Sequence, residues 1–172
     1  NTILWIAENN PYFRKKFVNQ FTESGISSQR IIFAPKIERM DDHLARYEVC
    51  DLFLDTMPYN SHATAMDSLK AGVPVLTLIG QSFASRVAAS LLNAIGLPEL
   101  IAHNQEEYEA IAIELANNPD KLSMIKNKLQ VNKTTMPLFN TKLFTNHLEN
   151  AYEQMYERYQ SGLAPIEINV KN

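Results

Sequence analysis

Residues 51–72 read DLFLDTMPYNSHATAMDSLKAG: a short apolar run, a loop of small and turn-forming residues, then a helical pattern closed by glycine. Asp51 to Asp55 form a strand, Pro58 and Asn60-Ser61 make the turn, and a helix runs from about His62 to Ala71 until Gly72 ends it. A helix that opens at the carboxyl end of a parallel strand turns its unbonded N–H groups toward the place where open α/β sheets bind anions. Thr64 and Asp67 are three residues apart and share one face of that helix. A hydroxyl beside free N–H groups suits a diphosphate, and a carboxylate one turn later suits a sugar diol, so the stretch sketches a nucleotide-sugar site. The plainer reading is an ordinary strand-to-helix connection, because fold alone does not carry function. His62 taken by itself reads as a solvated or capping residue.

The alternation continues on both sides. Thr2 to Ala7 (TILWIA) is apolar throughout, as a strand covered on both faces is, and Pro11 stands where the first turn of a helix tolerates it. That helix ends at Gly25, and Phe13, Phe17 and Phe21 recur every four residues as a packing stripe. Arg30 to Ala34 gives the next strand, and a short helix covers Asp41 to Tyr47. Pro74 to Leu78 gives the fourth strand, and Ser82 caps a helix through about Leu92. Strands joined by helices through short links predict a parallel, doubly wound α/β sheet of Rossmann-like type. From Asn104 the pattern is helical only: Asn104 caps a helix to Ala116, Pro119 opens another, and Thr141 to Tyr159 forms a long amphipathic one with Leu143, His147, Ala151, Met155 and Tyr159 spaced by four. The expected organisation is a core over 1–103, C-terminal helices packed on it over 104–160, and a surface tail over 161–172.

Composition narrows the class. The chain has 172 residues, 45% of them hydrophobic, enough to bury a core. A formal net charge of −3 with mixed signs offers no basic field for nucleic acid, and no apolar run reaches the ~18 residues of a membrane span. Cys50 is the single cysteine, and no charged-then-apolar leader opens the sequence, so a cytoplasmic setting is expected. Four scattered histidines give no metal-ligand spacing; no metal or cofactor is predicted.

The order of blocks carries a resemblance. The run from Asp42 to Ile101, followed by EEYEAIAIELANNP (106–119) and PLFNTKLFTNHLENAYEQMYERY (137–159), resembles the C-terminal catalytic half of the O-linked N-acetylglucosaminyltransferase family, which includes Spindly-type fucosyltransferases and bacterial members with TPR repeats. The resemblance spans about Leu4 to Gly162. It implies a GT-B glycosyltransferase in which this domain holds the nucleotide-sugar donor. By that resemblance His43 lies over the uracil and Arg46 reaches its edge, His62, Ala63 and Thr64 support the diphosphate, and Asp67 binds the ribose diol. Ala63 stands where the family often has a hydroxyl residue, and the link Lys36 to Met40 departs from the usual Ala-Pro-Lys, leaving the lysine's ribose contact to Lys36 or Arg39. Set against these roles, His43 reads as an exposed helix residue, Arg46 as a partner of Asp42, and Asp67 as a solvated carboxylate.

The resemblance further implies inverting, metal-independent transfer of N-acetylglucosamine from its UDP-sugar to Ser or Thr of a protein, with UDP-glucose or GDP-fucose as other donors. The protein acceptor and the catalytic groups would belong to an N-terminal half, and the chain opens at Asn1 on the edge of a strand, as a domain piece would. Alone, this chain is therefore expected to be inactive. A non-catalytic nucleotide-binding or protein-interaction module is the alternative from a different class.

Overall fold

The computed structural model describes residues 2–7 and 10–170, so Asn1 and the last two residues of the expected tail lie outside the described residues. The chain divides into two compact units, Asn1–Val49 and Cys50–Asn172.

In the first unit β1 (Leu4–Ala7) pairs in parallel with β2 (Ile31–Ala34), with Leu4 opposite Ile31 and Ala7 opposite Ala34. The connection is α1 (Pro11–Glu23), which has Pro11 in its first turn and Asn10 as N-cap, the Asn10 Oδ1 accepting from the Phe13 N–H at 2.8 Å. The predicted phenylalanine stripe forms: Phe13, Phe17 and Phe21 stack in sequence at 5.4 and 4.7 Å, and Phe17 meets Phe33 of β2 edge-on at 6.3 Å. It remains half-buried, however, and α1 has no fully buried residue. The helix expected over Asp41 to Tyr47 is shorter, α2 (Met40–Ala45), and tightens into a 3₁₀ turn over Arg46–Val49 that buries Tyr47.

The second unit holds a three-stranded parallel sheet in the order β3-β4-β5, formed by β3 (Phe53–Leu54), β4 (Val75–Leu78) and β5 (Ile101–Ala102). Between them run α3 (Ala63–Ala71) and α4 (Val87–Ala94); α5 (Gln105–Asn117), α6 (Pro119–Thr135) and α7 (Thr141–Gln160) follow. Leu69, Leu92, Ile95, Leu97, Leu100, Leu115 and Leu129 are fully out of solvent around Val75 and Leu76. Each such side chain is worth roughly 1.5–3 kcal/mol of transfer free energy, which makes this the stable part of the chain. Asn104, Asn118 and Asn140 each cap the helix that follows, accepting from Glu107, Lys121 and Leu143 N–H groups.

Further elements differ from the sequence reading. β3 spans two residues rather than the four to five expected: Pro74 has no N–H with which to extend the ladder toward Asp51, and at the other end the Asp55 carbonyl accepts the Tyr108 hydroxyl at 2.9 Å. The helix expected from Ser82 begins at Val87, because Ser82 and Ser85 cap one another across a separate 3₁₀ turn, Phe83–Ser85. β5 was not anticipated; its two residues pair with Thr77 and Leu78. Along α7 the half-buried positions are Leu143, His147, Ala151, Gln154 and Arg158, whereas Met155 and Tyr159 of the expected stripe are exposed together with Phe144, Tyr152 and Tyr156.

Gly72 closes α3 at φ +90°, donating its N–H to the Leu69 carbonyl at 3.1 Å, and a Cβ there would run into the Gln130 side chain. Gly72→Ala should therefore cost about 1–2 kcal/mol of stability from the left-handed backbone alone, read as a lower urea midpoint at unchanged slope.

Candidate functional site

The site begins where β3 ends. Asp55 is 4% exposed, and its carboxylate is the hub of the loop that leads to α3. Oδ1 accepts the N–H of Thr56 at 2.9 Å and of Ser61 at 2.7 Å, while Oδ2 accepts the Thr77 hydroxyl of β4 at 2.6 Å. Asn60 is equally buried: its Nδ2 donates to the carbonyls of Thr56 at 2.9 Å and Leu78 at 3.4 Å, and its N–H donates to Ala84 at 3.1 Å. The Thr56 hydroxyl donates to the Tyr59 carbonyl at 2.9 Å. The Met57–Pro58 bond within this loop is cis. The hydrogen bonds of Asp55 and Asn60 fix the loop at both ends, so the start of α3 is set by the sheet.

At that start no side chain caps the helix. The first backbone bond is Met66 N–H to the His62 carbonyl at 3.1 Å, which leaves the N–H groups of Ala63, Thr64 and Ala65 uncapped at the positive end of the helix dipole. Ala63 and Thr64 are exposed and Asp67 is half-buried, while Ala65, Ser68 and Leu69 face the core. The shared face expected for Thr64 and Asp67 is thus the outer one. His62 is not a capping side chain: its ring stacks on Tyr59 at 5.2 Å, meets Phe83 edge-on at 6.2 Å, and its Nε2 lies 3.4 Å from the Ala84 carbonyl. Tyr59 and Phe83 are 66% and 82% exposed, so the imidazole stands between two solvent-facing aromatic rings.

The two remaining predicted residues belong to the first unit. His43 is half-buried, with its ring edge-on to Tyr47 at 5.3 Å, rather than an exposed helix residue. Arg46 does not pair with Asp42: its guanidinium donates to the Pro35 carbonyl at 2.9 Å and lies over the Trp5 ring at 6.0 Å. Asp42 instead lies 3.7 Å from Arg39 in an exposed pair, the kind worth ~0–1 kcal/mol. Among the described residues no three or more His, Cys, Asp or Glu gather as a metal site. No described helix is long and apolar enough to cross a membrane.

Residues 1–148 match the model of Glycosyl transferase family 41. The chain belongs to that family. It is 36% identical over 167 residues to a UDP-N-acetylglucosamine–peptide N-acetylglucosaminyltransferase of Caenorhabditis elegans, covering 96% of this chain and 14% of the relative. It is 36% identical over 152 residues to a probable enzyme of the same description, SPINDLY, of Petunia hybrida, covering 88% and 16%. Among solved structures, a mutant of the Thermobaculum terrenum O-GlcNAc transferase superposes with a TM-score of 0.82 at 31% identity, over 90% of this chain and 30% of that one. The Rossmann-like α/β reading is thereby shown, and the chain spans about one sixth or less of the curated family 41 relatives it matches.

Sequence reasoning missed Asp55, Asn60, Thr77 and Tyr108. The available signal was an aspartate at the carboxyl end of an apolar strand, a place where a carboxylate survives only if it is hydrogen-bonded. Tyr108, on α5, has its pKa pushed up to about 12, first by burial and then by the Asp55 charge. Its neutral hydroxyl is the form the fold favours, so its contribution is complete below pH ~10 and is lost as pH climbs from about 10 toward 12. Urea unfolding at pH 9 and pH 11 should show a smaller alkaline loss in Tyr108→Phe than in the unaltered chain, and an equal loss would remove Tyr108 from this role.

Proposed function

We propose that this chain is the donor-binding part of a protein O-glycosyltransferase, holding UDP-N-acetylglucosamine while the sugar passes to a Ser or Thr hydroxyl of a protein. The observation that carries the reading is the uncapped start of α3, with Thr64 and Asp67 on its outer face. Family membership and the printed activities of the relatives support it.

The roles follow from the chemistry of each group. The N–H groups of Ala63, Thr64 and Ala65 and the Thr64 hydroxyl stabilise negative charge on the diphosphate, including the charge that develops as it leaves. Ala63 contributes only backbone. Asp67 accepts from the ribose hydroxyls, and His62 lines the diphosphate end. On the first unit, His43 is assigned to the uracil face and Arg46 to its edge, with Lys36 or Arg39 toward the ribose. Transfer is proposed to be inverting and to need no metal, helix dipole and hydrogen-bond donors supplying the positive field. The acceptor protein and the remaining catalytic groups are assigned to a further part of the enzyme, so the chain alone binds donor without transferring it. A cytoplasmic location accords with this chemistry. UDP-glucose and GDP-fucose are the competing donors, and a non-catalytic nucleotide-binding module is the competing class.

Calorimetric titration separates the donors: UDP should bind more tightly than GDP, and equal or reversed preference would reject the uridine assignment. Asp67→Asn provides a sharper check. Loss of charge-assisted bonds to the ribose diol should cost on the order of 1.5–3 kcal/mol, a ten- to hundredfold weaker UDP affinity. Unchanged affinity would remove Asp67 from the ribose contact.

A further inference from the structure

Asp55 is a carboxylate almost wholly withdrawn from water, and none of the roles assigned above uses it. Its three side-chain bonds are not distributed evenly. Two converge on Oδ1 from opposite ends of one loop, from Thr56 at 2.9 Å and Ser61 at 2.7 Å, and the third comes from Thr77 of the neighbouring strand at 2.6 Å. A single oxygen therefore closes the loop, and the other oxygen anchors it to the sheet. Ser61 is the residue before the His62 N-cap, so any drift of the Ser61 backbone moves the uncapped N–H groups of Ala63, Thr64 and Ala65. N–H bonds to a carboxylate are roughly twice as strong as neutral ones. Charge here serves geometry.

We propose that Asp55 is a positioning residue for the diphosphate: its carboxylate pins the 56–61 loop and thereby sets where the N–H groups opening α3 point. This rests on the donor reading of α3 given above. At 4% exposure Asp55 does not touch the ligand, so it acts through Ser61 and the helix start.

The role predicts a particular pattern of losses. The phosphate part of the affinity is the ratio of uridine to UDP dissociation constants, measured on this chain by calorimetry for UDP and by NMR titration for uridine. Asp55→Ala removes both loop bonds and should lower that ratio at least tenfold. Asp55→Asn keeps an acceptor oxygen without charge and should lower it two- to fivefold. Thr77→Val removes only the strand bond, leaves both Oδ1 bonds in place, and should leave the ratio within a factor of two even where it lowers the melting temperature.

A merely structural Asp55 would not produce this order. An unchanged ratio in folded Asp55→Ala overturns the proposal, as does a drop in Thr77→Val equal to that in Asp55→Ala. Should Asp55→Ala fail to fold, Asp55→Asn decides: a two- to fivefold drop upholds the proposal and an unchanged ratio overturns it. An unaltered chain that binds UDP no more tightly than uridine defeats the donor reading itself, and this proposal with it.

Discussion

The hydrogen bonding of the Asp55 carboxylate is the constraint on which the loop leading into α3 depends. A carboxylate out of water costs several kcal/mol unless its oxygens are hydrogen-bonded, and here Thr56 and Ser61 donate to Oδ1 and Thr77 to Oδ2. Satisfying it forces the chain to turn back at the end of β3 and deliver Ser61 beside the strand it has just left. Asn60 then reaches both Thr56 and the end of β4, and the Tyr108 hydroxyl takes the Asp55 carbonyl. β3 is short for reasons at both of its ends: Pro74 lacks the N–H that would extend the ladder toward Asp51, and the Asp55 carbonyl is already engaged by α5.

Much of this architecture was legible in the sequence. The strands around Leu4–Ala7, Ile31–Ala34 and Val75–Leu78 announce themselves as apolar runs, and Pro11, Asn104, Pro119 and Gly72 mark helix ends by rules that depend on one or two neighbours. What escaped depends on partners distant in sequence. Ile101–Ala102 is too short to carry a period and becomes a strand only because Thr77 and Leu78 lie beside it. Asp55 and Tyr108 are 53 residues apart, and no spacing links a strand-end aspartate to a tyrosine on a later helix. Ser82 was correctly a cap, yet Ser85 bonds back to it and isolates a turn of its own before α4 begins.

The candidate site divides along the same line. Thr64 and Asp67 needed only helical periodicity to be placed on one face, and the structure puts that face outward. For Arg46 the local pattern offered a neighbour the fold does not use: an i,i+4 partner in Asp42 was available, but the Pro35 carbonyl and the Trp5 ring hold its guanidinium instead. An exposed ion pair gains little against water, whereas a carbonyl and an indole face offer a planar cation both a bond and a surface.

Charge bookkeeping over the whole chain would not have found an anion site. A net charge of −3 argues against a field that gathers polyanions, and residues 56–66, which lead into α3, contain no lysine or arginine. The proposed diphosphate site does not need one. Backbone N–H groups carry partial charges fixed in direction by the helix, they require no counter-ion, and they act over the one turn where a phosphate sits. Their usefulness depends on direction rather than quantity, since a dipole misaligned by a loose loop loses much of its hold on the ligand. On the proposed reading, that dependence is why a buried, hydrogen-bonded carboxylate at the preceding turn belongs with an uncapped helix at the next one.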